Sequence, residues 1–282
     1  MASLPEALAQ KKGANADHIA NLTPLTRQAD TGSTIGDINY TKTRVITPNA
    51  AVLRENRVIN SPGGDPVVDA YKVLCIQVLQ RLRGLGGNAL AVVSPGEHEG
   101  KTLTAINLAI SLAKEVDQTV LLVDANLREP AVHRYLGIRP EGGLRDYLID
   151  SVPLDRILIN PGINRLVVLP GGRPLQNSTE MLGSTKMEAL VHELKSRYPS
   201  RVVLFDLPPV LSVADAMAFS PYVDAALLVV QENKTGRAEM RRAMELLKSV
   251  EVLGTVLNGA AEVARRDEEI RPGGGRRWFF RR

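Results

Sequence analysis

The sequence predicts an α/β protein built on a doubly wound, mostly parallel sheet flanked by helices. Short runs rich in Val, Leu and Ala recur at residues 90–94, 120–124, 166–169, 202–206, 225–230 and 254–258. They are apolar nearly throughout, where a strand with one wet face would alternate, and such runs mark strands covered on both faces. Segments of helical period lie between them, clearest at 102–116, 186–197 and 237–250. Strand and helix therefore alternate as parallel crossovers require, and ligands of such sheets bind at the carboxyl ends of the strands.

Residues 1–64 are rich in Ala, Asn, Thr and Pro, show no sustained period of 3.6 or 2, and close on Ser61-Pro62-Gly63-Gly64. They read as a mostly extended or disordered extension. From residue 65 to 83 the apolar side chains of Val68, Tyr71, Leu74, Val78 and Leu82 recur three or four apart. That spacing predicts an amphipathic helix opening at Asp65-Pro66 and leading into a main domain over 65–262. Residues 263–282 form a third segment, a basic tail with aromatics.

One cysteine, Cys75, excludes an intramolecular disulfide framework, and no Cys/His cluster has metal-site spacing, so a reducing compartment is expected. No stretch reaches the roughly 20 apolar residues of a membrane span, and the first thirty residues lack signal-peptide order, so a cytosolic protein is expected. The net charge of +4 resides in the tail, where Arg265, Arg266, Arg271, Arg276, Arg277, Arg281 and Arg282 face only Asp267, Glu268 and Glu269. Residues 1–264 are neutral overall, which argues against nucleic acid as a partner.

The chemistry gathers at three strand ends. After the first apolar run comes Ser94-Pro95-Gly96-Glu97-His98-Glu99-Gly100-Lys101-Thr102, followed directly by a helical segment. Strand, tight turn and helix is the setting of a phosphate loop. Backbone N–H groups from Glu97 to Leu103 would receive phosphate, Lys101 would reach its β and γ groups, and the Thr102 hydroxyl would ligate magnesium. Pro95 stands where the pattern asks for glycine, and Glu97 and Glu99 bring negative charge near the expected polyphosphate. An incidental Gly-Lys-Thr in a surface loop is the alternative. Two further strand ends weigh against it: the second run ends in Asp124-Ala125-Asn126-Leu127-Arg128, the fourth in Asp206-Leu207-Pro208-Pro209. A carboxylate there can hold magnesium, whereas an isolated buried one would be costly. Asn258, after the last strand, reads either as a contact to an adenine edge or as a turn residue before Gly259. His98 and His133 lack a paired carboxylate and read as solvated or structural. Asp215 reads as a helix N-cap or a site residue.

Lys101-Thr102, Asp124-Ala125-Asn126-Leu127-Arg128-Glu129-Pro130 and Asp206-Leu207-Pro208-Pro209 together resemble the bacterial tyrosine kinases of capsule and exopolysaccharide systems. Residues 177–182, 221–224 and 254–258 support the likeness, which spans about 65–260. Residues 40–45, beginning Tyr40-Thr41, look most similar to the branch found beside exosortase loci. The resemblance implies a P-loop fold, ATP and magnesium, transfer of the γ-phosphoryl to tyrosine, and ring-like self-association. It also implies activation by a membrane chain-length determinant of polysaccharide synthesis, at the inner membrane. By position, Lys101 binds phosphate, Thr102 magnesium, Asp124 acts as base or metal-positioning carboxylate, Asp206 orients the magnesium shell, and Arg128 and Asn258 join the nucleotide site.

Several positions depart from that family. Its Pro-Gly-Glu-Gly-Lys reads Glu97-His98-Glu99-Gly100-Lys101, and its paired aspartates read Asp124 and Asn126. Its ring-forming acidic-arginine-arginine helix motif reads Asp69, Lys72 and Cys75. The usual C-terminal tyrosine cluster is replaced by Gly273-Gly274-Gly275-Arg276-Arg277-Trp278-Phe279-Phe280-Arg281-Arg282, which reads either as a contact to an anionic membrane surface or as a soluble tail. Two functions follow: a tyrosine kinase acting on another protein or an internal tyrosine, or a regulatory ATPase whose output is nucleotide-gated binding.

Overall fold

The structure, a computed structural model, describes residues 43–60, 65–115, 117–198 and 200–260, all within one compact unit. Tyr40 with the rest of residues 1–42, residues 61–64, and the tail from residue 261 onward lie outside the described residues.

The chain opens with β1 (Arg44–Val45), α1 (Ala50–Glu55), α2 (Pro66–Gly84), β2 (Ala89–Val93), α3 (Lys101–Ala113) and β3 (Thr119–Asp124). Next come α4 (Val132–Tyr135), α5 (Leu144–Asp150), α6 (Leu154–Ile157), β4 (Ile159–Asn160), β5 (Leu166–Leu169), α7 (Ser178–Leu182) and α8 (Thr185–Ser196). It continues through β6 (Arg201–Asp206), α9 (Asp215–Phe219), β7 (Ala225–Gln231), α10 (Arg237–Leu246) and β8 (Glu251–Asn258). The strands form one sheet in the order β1-β4-β5-β3-β6-β2-β7-β8. Every described pairing is parallel except β4 with β5. The doubly wound parallel sheet expected from the sequence is therefore present, with β1 and β4 added at one edge.

Its two faces explain why the strands read as continuous apolar runs. Ala89, Ala91 and Val93 of β2 pack into one cluster with Met187, Leu190 and Leu194 of α8. Leu90 and Val92 turn the other way, into a cluster with Leu79 of α2 and Ile106 and Ile110 of α3. Each full burial of such a side chain contributes roughly 1.5–3 kcal/mol, so neither face tolerates a polar residue cheaply. Asp65 caps α2 by accepting the Val67 N–H at 2.8 Å, with Pro66 in the first turn, as the sequence indicates. Cys75 is wholly buried between α2 and α3, and burial pushes its thiol up to about 12. Asp69 and Lys72 pair with each other at 2.9 Å on the exposed side of the same helix.

Described residues also lie ahead of the expected domain boundary at residue 65. Residues 43–60 form a strap that buries Leu53, Val58 and Ile59 against the α3 side of the sheet. A two-residue strand and a six-residue helix are too short to leave a period in the sequence, which is why the segment read as an extension. Its anchor is Asn107, a buried amide on α3 flanked by Ile106 and Leu108. Asn107 Oδ1 accepts the Ile59 N–H at 2.9 Å and Nδ2 donates to the Arg57 carbonyl at 3.1 Å.

Replacing Asn107 with leucine would leave both backbone groups without this partner, the Ile59 N–H in a buried setting and the Arg57 carbonyl in a half-buried one. The expected cost is about 2 kcal/mol, read from the urea midpoint of purified wild-type and Asn107→Leu protein. An unshifted midpoint would contradict the anchoring role.

Candidate functional site

The site is built where β2, β3 and β6 end side by side. The chain leaves β2 through the turn at 94–100 and enters α3 at Lys101. Gly100 stands before the helix in the left-handed region at φ 89°, and no side-chain oxygen caps α3. The first N–H groups of α3 thus have no side-chain cap, and with the helix dipole they suit an anion. Only glycine suits position 100: a Cβ there would lie 1.9 Å from Asn258 Nδ2. His98 is also left-handed, at φ 56°, in the place where the resembled motif has glycine, and its side chain is exposed.

Lys101, Thr102 and Asp206 form a knot. Thr102 Oγ1 donates to Asp206 Oδ2 at 2.7 Å, Lys101 Nζ donates to Thr102 Oγ1 at 3.1 Å, and Lys101 Nζ lies 3.5 Å from Asp206 Oδ1. Asp206 is fully buried and Lys101 nearly so. Asp124 is the cross-strand neighbour of Asp206 in the β3–β6 register and is also fully buried. Its Oδ2 accepts the N–H groups of Ala131 and Val132, at 2.9 and 3.0 Å. Burial, and then the Asp206 charge, lift the Asp124 carboxyl to about 7; burial raises Asp206 as well, against the pull of Lys101.

Neither Asp124 Oδ1 nor Asp206 Oδ1 has a hydrogen-bond donor, although both atoms are buried. Lys101 pairs with Asp206 alone, at 3.5 Å from Oδ1, and the two Oδ1 atoms belong to adjacent strand ends. Hard oxygen donors of this kind suit a magnesium ion. The bare N-terminus of α3 beside them suits a polyphosphate. The residues present therefore fit a magnesium-nucleotide pair.

The remaining expected residues fall in different places. Glu97 is exposed, and its carbonyl accepts from Lys234 Nζ at 2.6 Å. Glu99 is buried, with its carboxylate turned into the protein to accept from Gly96 N at 2.7 Å and from Thr235 Oγ1. Asn258 Nδ2 donates to the Glu99 carbonyl at 3.0 Å, a tie to the phosphate loop that neither sequence reading contained. Leu103 is half-buried against the core beneath α3. Arg128 faces Asp215 Oδ1, at 3.3 Å from Nη2, and Thr179 Oγ1 at 3.2 Å. Asp215 is the first residue of α9 rather than its N-cap; it also accepts from Ser178 and Thr179 and is fully buried. Asn126, at the second aspartate position, is buried. His133 is half-buried, and burial with neighbouring Arg134 lowers its pKa.

The Thr235 and Lys234 contacts had no signal in the sequence, because nothing local marks which residue of a distant turn meets a loop. Asn107 had one: a polar residue flanked by Ile106 and Leu108 in a helix buried all round.

A family model described as an AAA domain matches residues 96–258. The tyrosine-protein kinase YwqD of Bacillus subtilis strain 168 is 33% identical over 173 residues, which are 61% of this chain and 72% of that protein. The tyrosine-protein kinase etk of Escherichia coli K12 is 28% identical over 202 residues, which are 71% of this chain and 27% of that protein. This chain thus spans about a quarter of that longer relative. Among solved structures, the kinase domain of the Escherichia coli tyrosine kinase ETK superimposes with a TM-score of 0.64 at 25% identity, covering 77% of this chain and 89% of that one.

The lifted Asp124 carboxyl has a consequence for stability. An ordinary aspartate titrates near 4, so the folded protein holds this proton more tightly than the unfolded chain does. The contribution is fully present below about pH 4 and is lost as pH rises through about 7. Ligand-free wild-type protein should therefore lose thermal stability across that window, and Asp124→Asn protein should show a flatter profile. Superimposable melting profiles would contradict this assignment.

Proposed function

The chain belongs to the bacterial tyrosine-protein kinase family among AAA-domain proteins, and from that membership we propose that it is an ATP- and magnesium-dependent protein tyrosine kinase of exopolysaccharide biosynthesis. The observation that carries this reading is the knot of Lys101, Thr102 and Asp206 beside Asp124, whose buried Oδ1 has no hydrogen-bond partner.

In this reading Lys101, now on Asp206, carries the charge of the β and γ phosphates, and the N–H groups at the start of α3 receive their oxygens. Thr102 and Asp206 are the residues that would hold magnesium, which when bound would neutralise charge on the transferring phosphoryl group. Asp124 is fixed through Oδ2 by two N–H groups, and its pKa lies near neutrality. Its free Oδ1 is the group suited to take the phenolic proton as the tyrosine oxygen bonds to phosphorus and ADP leaves. Positioning and charge neutralisation, rather than covalent chemistry, supply most of the rate in such transfers.

The family resemblance supports a membrane-embedded polysaccharide chain-length protein as partner, with the kinase at the cytoplasmic face of the inner membrane. Among the described residues no helix is long and apolar enough to cross a membrane. Self-association through the α2 motif gains little support, because Asp69 and Lys72 satisfy each other and Cys75 faces the core.

Purified protein, magnesium and γ-labelled ATP, with and without the partner's cytoplasmic segment, test the proposal. Phosphotyrosine is expected, and Lys101→Ala should lower its rate at least ~100-fold, as loss of one charge-stabilising group does elsewhere. Free phosphate without phosphotyrosine would overturn the kinase reading.

A further inference from the structure

A buried carboxylate inside a loop that receives phosphate calls for an explanation. Glu99 is 3% exposed, and its side chain lies under the loop on a fixed pair of donors, Gly96 N–H and the Thr235 hydroxyl. Thr235 is held in turn, since Oγ1 accepts the Gln231 N–H at 2.9 Å. Two more ties reach the loop from the same edge of the sheet: Lys234 Nζ to the Glu97 carbonyl and Asn258 Nδ2 to the Glu99 carbonyl. The turn between β7 and α10 and the end of β8 thus clamp residues 97–99 immediately before Gly100 and Lys101.

We propose that this clamp is a working part of the nucleotide site, in which Thr235 is a positioning residue that keeps the Glu99 charge turned away from the bound polyphosphate. The inference rests on the nucleotide site proposed above. With its hydroxyl donor in place, Glu99 braces the loop from below through Gly96 N–H. Without that donor the carboxylate loses one of its two fixed partners, and the loop's own open N–H groups become its nearest alternative. There it competes with phosphate for the same donors and repels the same charge. The clamp also accounts for an acidic residue directly before Gly-Lys-Thr, which by charge alone would oppose the ligand.

The test is a set of ATP dissociation constants in magnesium for wild type, Thr235→Val, Thr235→Ser, Glu99→Gln and the Thr235→Val/Glu99→Gln double variant. Each is checked for folding by its thermal melt. Thr235→Val should weaken ATP about tenfold, the scale of one lost hydrogen bond to a charged group. Thr235→Ser should retain wild-type affinity. The double variant should recover to within about threefold of wild type, because the misdirected charge is gone even though the hydroxyl is still missing.

A merely structural Thr235 would give the opposite pattern, with the double variant as weak as Thr235→Val or weaker. That result, or a Thr235→Val protein with wild-type affinity, overturns the proposal. Wild-type protein that binds no ATP would overturn the nucleotide site and the clamp together. ATP binding without phosphotyrosine would overturn only the kinase reading, and the five dissociation constants would still decide this one.

Discussion

Everything at this site depends on placing two carboxylates side by side in a dry core. The register of β3 against β6 makes Asp124 and Asp206 cross-strand neighbours, and both are fully buried. Removing a charge from water is expensive, which raises the pKa of both acids, and the Asp206 charge raises Asp124 further. The chain compensates only in part, with one ammonium from Lys101, one hydroxyl from Thr102 and two N–H groups at the start of α4. What is left over is one carboxylate oxygen, Asp124 Oδ1, with no donor, and a second, Asp206 Oδ1, that meets only the Lys101 ammonium at 3.5 Å. Such a deficit suits a cation, and the uncapped N-terminus of α3 beside it suits an anion.

Much of this was legible in the sequence. Continuous apolar runs gave the strands because both faces of the sheet are covered. The polar residues that interrupt the runs, Asp124 and Asp206, are conspicuous for the same reason. Lys101 and Thr102 announce themselves by following a strand and opening a helix. The parts that were not legible depend on contacts between distant segments. Glu99 looked like a charge facing phosphate, because its donors, Gly96 and Thr235, are brought under the loop only by the fold. Asp215 reads either as a helix cap or as a site residue, because its partners sit on α7 and on the segment after β3. The strap at 43–60 lacks periodicity, and its order comes from three inward side chains and one amide on α3.

The departures from the resembled family acquire physical meaning in the structure. His98 stands in a left-handed conformation where glycine carries no steric penalty, so this loop accepts some local strain. Cys75 is not a reactive thiol, since burial and the nearby Glu115 charge hold it protonated. It replaces a residue of an interface motif with one that packs in the core, and Lys72 is left with an intrahelical partner. Asn126 keeps the position of the second aspartate but not its charge. Two buried acids therefore remain in the knot beside Thr102.

A crystal structure of the protein with magnesium and a non-hydrolysable ATP analogue tests the site most directly. The expected result is a polyphosphate held by residues 96–102 and the start of α3, with Lys101 drawn from Asp206 onto phosphate and the metal facing Thr102 and Asp206. A nucleotide bound elsewhere, or one bound while Lys101 stays paired with Asp206 and no metal faces that carboxylate, would contradict it.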